Sequence, residues 1–261
     1  MSDERDAGPP AAGAPGAGPI ELTTQELSSI EQYRRLRQTS VLVILFTDIK
    51  GFTSLTERRG DRHALELLEH HDRILVGTIE EAGGGLVVKH IGDSIMAVFS
   101  EPSTAVERAL AIQERIRTFN AGRPDEEPLQ VRIGLHMGQV AVENQTQLDL
   151  FGRHVNRASR VEGLADAGQI FLTYPVFDSA RGWLASGAAR TLAWKQHGSY
   201  TLKGITEPVA IYEVVDSRFA SPRPPRGGRR KRSLLPVWAA IAVLVAGAAV
   251  ALGLTQLRRT E

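Results

Sequence analysis

The stretch Phe46-Thr47-Asp48-Ile49-Lys50-Gly51-Phe52-Thr53 follows five apolar residues, 41–45. The near-continuous apolar run predicts a buried strand over residues 41–49, and Gly51 ends that strand and opens a short helix. An aspartate at a strand end, followed by the free N–H groups of a helix start, suits a metal ion and a phosphate. For this segment alone, an exposed aspartate beside an ordinary capped helix is the alternative.

A second aspartate lies 45 residues later, in Lys89-His90-Ile91-Gly92-Asp93-Ser94. Strands are predicted over residues 86–90 and 94–99, which makes Asp93 the tip of a hairpin. A sheet that holds Asp48 and Asp93 a few ångströms apart would leave them repelling each other unless divalent cations lay between them. Lys89 would lie further back on the incoming strand, where a local salt bridge and a ligand contact both remain open.

A third polar group begins at Asp149 and continues through Arg160. The predicted helix over residues 153–164 places Asn156 and Arg160 on one face, because they are four residues apart. Together these two side chains can hydrogen-bond a sugar and neutralise a phosphoryl oxygen. A solvated polar face is the alternative.

The order of the elements indicates an α+β fold with a mostly antiparallel sheet and helices packed on it. Gly138 is expected to break a strand, and residues 144–150 are expected to form a loop. Further helices are predicted over residues 61–82, 102–119 and 174–180, and further strands over residues 129–136, 140–142, 169–172, 189–197 and 208–215.

Composition excludes some classes of site. The chain has 261 residues, 42% hydrophobic and 23% charged, which is ordinary for a globular protein. It contains no cysteine, so disulfides and thiolate metal sites are excluded. The net charge of +1 gives no reason to invoke nucleic acid as a partner.

The two ends differ from the middle. Residues 1–22 are expected to form a disordered tail, and residues 23–39 a connecting helix. Residues 217–233 form a basic linker rich in Pro and Gly, and residues 234–254 carry no charge. As a helix, that last run would cross about 30 Å, so we predict a transmembrane helix followed by a short tail, 255–261. The basic flank predicts a single-pass inner-membrane protein with a cytoplasmic domain and a linker against anionic lipid headgroups.

Residues 40–216 resemble the catalytic domain of the class III nucleotide cyclases, the adenylyl and guanylyl cyclases. The resemblance implies a ferredoxin-like, palm-type sheet flanked by helices. The matching motifs are Phe-Thr-Asp-Ile-x-Gly-Phe-Thr, Lys-x-x-Gly-Asp-Ser-x-Met-Ala-x-Phe, Gly-Leu-His-x-Gly, Asp-x-x-Gly-x-x-Val-Asn-x-Ala-x-Arg and the late Leu-Lys-Gly-Ile with Tyr-Glu-Val.

The resemblance also implies residue roles. Asp48 and Asp93, with the backbone carbonyl of Ile49, would hold two divalent cations, either Mg²⁺ or Mn²⁺. The helix start is expected to bind phosphate groups. The substrate-binding residues would be Gly51, Phe52 and Thr53 at that helix start, Lys89 and Asp149 at the purine and Lys203 at the terminal phosphates. The catalytic residues would be Asn156, which orients the ribose, and Arg160, which stabilises charge at the α-phosphorus.

The implied activity is adenylate cyclase, which converts ATP to 3′,5′-cyclic AMP and pyrophosphate. A lysine donor and an aspartate acceptor at Lys89 and Asp149 match adenine. The site would be shared across a homodimer, because the chain carries both halves of it. The alternatives are a catalytically silent nucleotide-binding module and a guanylate or dual-specificity cyclase. The run Ile91-Gly92-Asp93-Ser94 is not the signature of the diguanylate cyclases.

Overall fold

The computed structural model describes residues 39–143, 149–185 and 191–230. The helices are α1 (Phe52–Arg59), α2 (Asp61–Ile79), α3 (Pro102–Ala121), α4 (Arg153–Glu162) and α5 (Tyr174–Ala185). The strands are β1 (Thr39–Ile49), β2 (Leu86–Ile91), β3 (Ser94–Phe99), β4 (Val131–Glu143), β5 (Asp149–Phe151), β6 (Ile170–Thr173), β7 (Leu192–Thr201), β8 (Val209–Asp216) and β9 (Arg229–Arg230).

The strands form one sheet in the order β2-β3-β1-β4-β6-β8-β7-β9, and β5 pairs with the far end of β4. Neighbouring strands run antiparallel except for β4 and β6, which are parallel. The predicted α+β class and its mostly antiparallel sheet are therefore confirmed.

The central strand β1 is buried on both faces, as its apolar run predicted. Val43, Ile44 and Leu45 are each 0% exposed. Val43 and Leu45 belong to the large core that packs under α1, α2, α3 and α5. Ile44 belongs to a smaller cluster on the opposite face, which α4 helps to cover through Ala158. The sheet thus has helices on both sides, and the end of β1 lies between them.

Several predicted boundaries were wrong, among them the end of the helix predicted over 174–180, which runs to Ala185. Strand β4 continues without a break through Gly138. Glycine is required there because the side chain of His154 approaches closely, and not because the chain turns. A Cβ added to Gly138 would lie 2.1 Å from Nδ1 of His154. Residues 149–151 form strand β5 instead of the end of a loop. Helix α2 ends at Ile79, before a 3₁₀ turn at Glu81–Gly83.

The predicted linker begins too early in the chain. The segment 217–230, here called the C-terminal strap, packs on the domain and ends in β9, which pairs with β7. The backbone N–H of Arg223 donates to Glu213 Oε2 at 2.8 Å, and Gln169 Nε2 donates to the carbonyl of Arg223 at 2.8 Å. These long-range contacts attach a segment whose composition alone indicates a loose linker.

The predicted helix at 23–39, apart from Thr39, which begins β1, and the predicted transmembrane run at 234–254 lie outside the described residues. Among the helices that the structure does describe, none has the length and apolar character needed to cross a bilayer.

Candidate active site

Asp48 lies one residue before the end of β1, directly opposite Arg132 of β4. Its Oδ2 accepts from Arg132 Nε at 2.8 Å and lies 2.6 Å from Nη2 of the same guanidinium. Its Oδ1 accepts from the hydroxyl of Ser94 at 3.1 Å. Residues from β3 and β4, the two strands that flank β1, therefore fix the orientation of this carboxylate.

Asp93 lies in the tight turn between β2 and β3, which Gly92 makes possible with a φ of 64°. The pairing of β3 with β1 carries this turn to the end of β1, where the backbone N–H of Ile49 hydrogen-bonds the Asp93 carboxylate. Burial and then repulsion by Asp48 raise the pKa of Asp93, although that hydrogen bond opposes them. The predicted pair of aspartates is thus brought together, and its members repel each other as expected.

The turn after Ile49 leads directly into α1. Gly51 adopts a left-handed conformation with a φ of 77°, and no side chain caps the helix that begins at Phe52. The first N–H groups of a helix have no partner within it and carry partial positive charge. Gly51, Phe52 and Thr53 accordingly place hydrogen-bond donors next to Asp48, which is the arrangement predicted for binding phosphate.

The donor set fits divalent cations that arrive with a nucleotide. Asp48, Asp93 and the carbonyl of Ile49 offer hard oxygen atoms, which Mg²⁺ and Mn²⁺ prefer. Across the described ranges, no group of three or more His, Asp or Glu side chains could hold a metal ion. Two carboxylates are typical of Mg²⁺ sites whose remaining ligands are water and substrate phosphates.

Comparison with known proteins identifies the family. The profile of the Adenylate and Guanylate cyclase catalytic domain matches residues 35–215. The chain belongs to this family. An adenylate cyclase of Anabaena cylindrica is 31% identical over 189 residues, which cover 67% of this chain and 37% of that protein.

Solved structures agree with the family assignment. The adenylyl cyclase CyaB from P. aeruginosa has a TM-score of 0.59 at 25% identity, covering 72% of this chain and 98% of that chain. The catalytic core of a rhodopsin-guanylyl cyclase with converted specificity, in complex with ATPalphaS, has a TM-score of 0.54 at 26% identity and covers 68% and 98%. This chain spans only 27% to 40% of the length of the first curated relatives that it matches.

The remaining predicted site residues of this cyclase domain lie on α4, on β2, on β5 and in the connection between β7 and β8. Asn156 and Arg160 are exposed on the same face of α4, and Lys203 is exposed between β7 and β8. Among the described residues, the side chains of these three make no hydrogen bond or ion pair. Lys89 is half-buried on β2, and Asp149 begins β5. One copy of the cyclase domain therefore leaves Asn156, Arg160 and Lys203 exposed, without a contact to its own Asp48 among the described residues.

Sequence reasoning missed two charged residues of the site. Oε1 of Glu162, the last residue of α4, lies 2.7 Å from Arg132 Nε. The contact is an ion pair and not a hydrogen bond, because this oxygen has no hydrogen-bond partner among the described residues. Burial raises the pKa of Glu162 to about 7 even though Arg132 opposes the shift. The one sequence signal that could have indicated this ion pair was Arg132 itself, a charged residue between Val131 and Ile133, which are both buried.

The start of α4 is tied to the sheet by two histidines. His136 of β4 places Nε2 2.8 Å from Nδ1 of His154, and its own Nδ1 lies 2.8 Å from Oγ1 of Thr173. Burial, followed by the charges of His154 and Arg157, lowers the pKa of His136 to about 3. This neutral pair anchors the helix that carries Asn156.

Proposed function

We propose that this domain is an adenylate cyclase that converts ATP to 3′,5′-cyclic AMP and pyrophosphate. The observation that carries the proposal is the pairing of Asp48 with Asp93 around the Ile49 backbone, beside an uncapped helix start. Membership of the cyclase family, with an adenylate cyclase among the relatives, supports the same reaction.

In the proposed reaction the ribose 3′-oxygen attacks the α-phosphorus, and the bond to the bridging oxygen of pyrophosphate breaks. Divalent cations supply Lewis acidity that lowers the pKa of the 3′-hydroxyl and neutralises phosphate charge. Asp48, Asp93 and the Ile49 carbonyl would hold them. The N–H groups at Phe52 and Thr53 would bind phosphate oxygens.

The exposed polar residues would complete the site of a second copy. Asn156 would orient the ribose, and Arg160 would stabilise charge that develops at the α-phosphate. Lys203 would bind the terminal phosphates. A homodimer with two equivalent sites is proposed because Asn156, Arg160 and Lys203 are exposed in one chain, and because the resemblance assigns the two halves to opposite subunits.

The proposed preference for ATP depends on Lys89 and Asp149. A lysine donates to the N1 acceptor of adenine, and an aspartate accepts from the N6 amino group, whereas guanine presents the opposite pattern. Guanylate cyclase activity is the second candidate. It is favoured by the likeness to the guanylate cyclase domain of RhGC from Catenaria anguillulae, solved in complex with GTP, at 26% identity and a TM-score of 0.52.

The deciding experiment supplies ATP or GTP, with Mg²⁺ or Mn²⁺, to the full chain and measures both cyclic nucleotides. Asp48→Asn is the inactive comparison, and Asp125→Asn, in an exposed loop, is the matched control. Cyclic AMP from ATP that is lost only in Asp48→Asn is the expected result. Cyclic GMP as the main product would establish guanylate cyclase activity. If a folded dimer formed neither cyclic nucleotide, both candidate activities would be wrong.

The inner-membrane location with a cytoplasmic catalytic domain also remains a proposal, supported by the uncharged run 234–254 and its basic flank. Membrane fractionation of the full chain, compared with a chain that lacks residues 234–254, tests it. The proposal requires that only the full chain sediments with membranes. A linker that contacts anionic headgroups further predicts that vesicles containing phosphatidylserine bind more of the full chain than neutral vesicles.

A further inference from the structure

Asp166, in the loop after α4, forms ion pairs with two cationic side chains that come from distant parts of the chain. Lys50 Nζ lies 3.0 Å from Oδ1, and Arg226 Nε lies 2.9 Å from Oδ2. The Asp166 side chain is only 9% exposed. Burial alone would raise its pKa, but hydrogen bonds from Lys50 and the Ala167 backbone, with the charges of Lys50 and Arg226, hold the pKa below its ordinary value. The carboxylate is therefore ionised and holds both cations at neutral pH.

Lys50 follows the metal-binding residues Asp48 and Ile49 directly. Its backbone N–H continues the strand pairing by donating to the carbonyl of Gln130 at 2.8 Å. Lys50 is the first residue beyond β1 and stands two positions after Asp48, so their Cα atoms are at most about 7 Å apart, which is within the reach of a lysine side chain. Without a partner elsewhere, the ammonium of Lys50 could therefore reach the carboxylate of Asp48.

An ammonium group at that carboxylate would compete with a divalent cation for the same oxygen atoms. We propose that Asp166 is a positioning residue for the cyclase site, which holds the Lys50 ammonium away from Asp48 and Asp93 and so keeps their oxygens available to divalent cations. This inference depends on the proposed function only in taking Asp48 and Asp93 as the cation ligands.

The C-terminal strap provides a control on the same carboxylate. Arg226 contacts the other oxygen of Asp166, and its side chain is 78% exposed. Such an exposed ion pair contributes little to stability. The strap is also attached by Arg223, whose Nη2 donates to the Ala167 carbonyl at 2.8 Å. Loss of the Arg226 charge should therefore leave Lys50 in place, which separates the Lys50 contact from other roles of Asp166.

The test measures Mn²⁺ binding to the full chain, with Mn²⁺ alone as the probe and its free electron paramagnetic resonance signal as the readout. Asp166→Asn should raise the dissociation constant roughly three- to tenfold, because the freed ammonium competes for the aspartates. The double variant Asp166→Asn with Lys50→Met should return to within about twofold of wild type, since the competing cation is gone. Arg226→Gln should also stay within about twofold.

A purely structural role for Asp166 predicts a different pattern, in which Lys50→Met does not rescue the Asp166→Asn protein. That result, or unchanged binding in Asp166→Asn, overturns the proposal. If the wild-type protein bound no Mn²⁺, both the proposed cation site and the proposed role of Asp166 would be wrong. Normal Mn²⁺ binding without cyclic nucleotide formation would instead contradict the proposed function and leave the role of Asp166 standing.

Discussion

Gly134 of β4 lies against the last turn of α4, so close that a Cβ added to it would sit 2.2 Å from the backbone nitrogen of Glu162. The two nearest atoms that it would meet are backbone atoms of Glu162, which cannot rotate away as a side chain can. Glycine at this position therefore sets the distance between α4 and the sheet. That distance places Glu162 beside Arg132, and Arg132 in turn holds Asp48.

Gly134→Ala should displace α4 and destabilise the domain by about 2 kcal/mol or more, because overpacking against backbone forces the helix to move. Activity should fall further than stability explains, since α4 carries Asn156 and Arg160. Urea denaturation and the cyclase assay measure the two effects. Gly77→Ala is the control. It lies in an exposed position of α2 with no atom within 4 Å of the added Cβ, and it should stabilise by up to about 1 kcal/mol.

Arg132→Met should destabilise the domain by about 2 kcal/mol at pH 8, because it leaves the buried Glu162 carboxylate without its cation. The pKa of Glu162 is raised to about 7 even with Arg132 present, so the cost of ionising it grows as the pH rises from the unfolded value near 4.5. Adding Glu162→Gln to the Arg132→Met chain should recover about half of the loss. Strictly additive effects in urea denaturation would show that the two side chains are not coupled.

Stability should fall on acidification because of His136. Its folded pKa is lowered to about 3, so the histidine stays neutral in the folded protein, while the unfolded chain gains a proton below pH 6.5. The contribution of the neutral His136 to the free energy of unfolding is complete above pH 6.5. It should decline by about 2–3 kcal/mol between pH 6.5 and pH 4.5.

His136→Asn should flatten that pH dependence, whereas His63→Asn on α2 should leave it unchanged. Thermal unfolding from pH 4.5 to pH 7.5 provides the measurement. An identical slope in wild type and His136→Asn would mean that other groups cause the acid sensitivity.

Two inactive variants should restore activity when they are combined. Asp48→Asn removes one half of each proposed site, and Asn156→Ala removes the other half. Random mixing of the two chains gives heterodimers with one intact site, so the mixture should regain about a quarter of wild-type activity. The mixture must be refolded or coexpressed so that subunits exchange. A mixture no more active than its components would contradict sites shared between subunits.

Much of the fold follows from local patterns. The apolar run of β1, the glycine turn at Gly92 and the four-residue spacing of Asn156 and Arg160 depend on neighbours along the chain, and each was predicted correctly. The strand break at Gly138 was predicted wrongly, because a glycine that makes room for His154 looks in the sequence like a glycine that ends a strand.

The sequence by itself determined that Asp48 stands near a strand end before a helix start and that Asp93 stands at a hairpin turn, since strand periodicity, turn residues and motif spacing all act over short distances. Only the tertiary structure decided that Arg132 faces Asp48, that Glu162 lies beside that arginine, and that Asp166 joins Lys50 to Arg226. These contacts depend on strand register and on how closely α4 approaches the sheet. Both are set by the summed packing of many distant residues, so no local stretch of sequence encodes them.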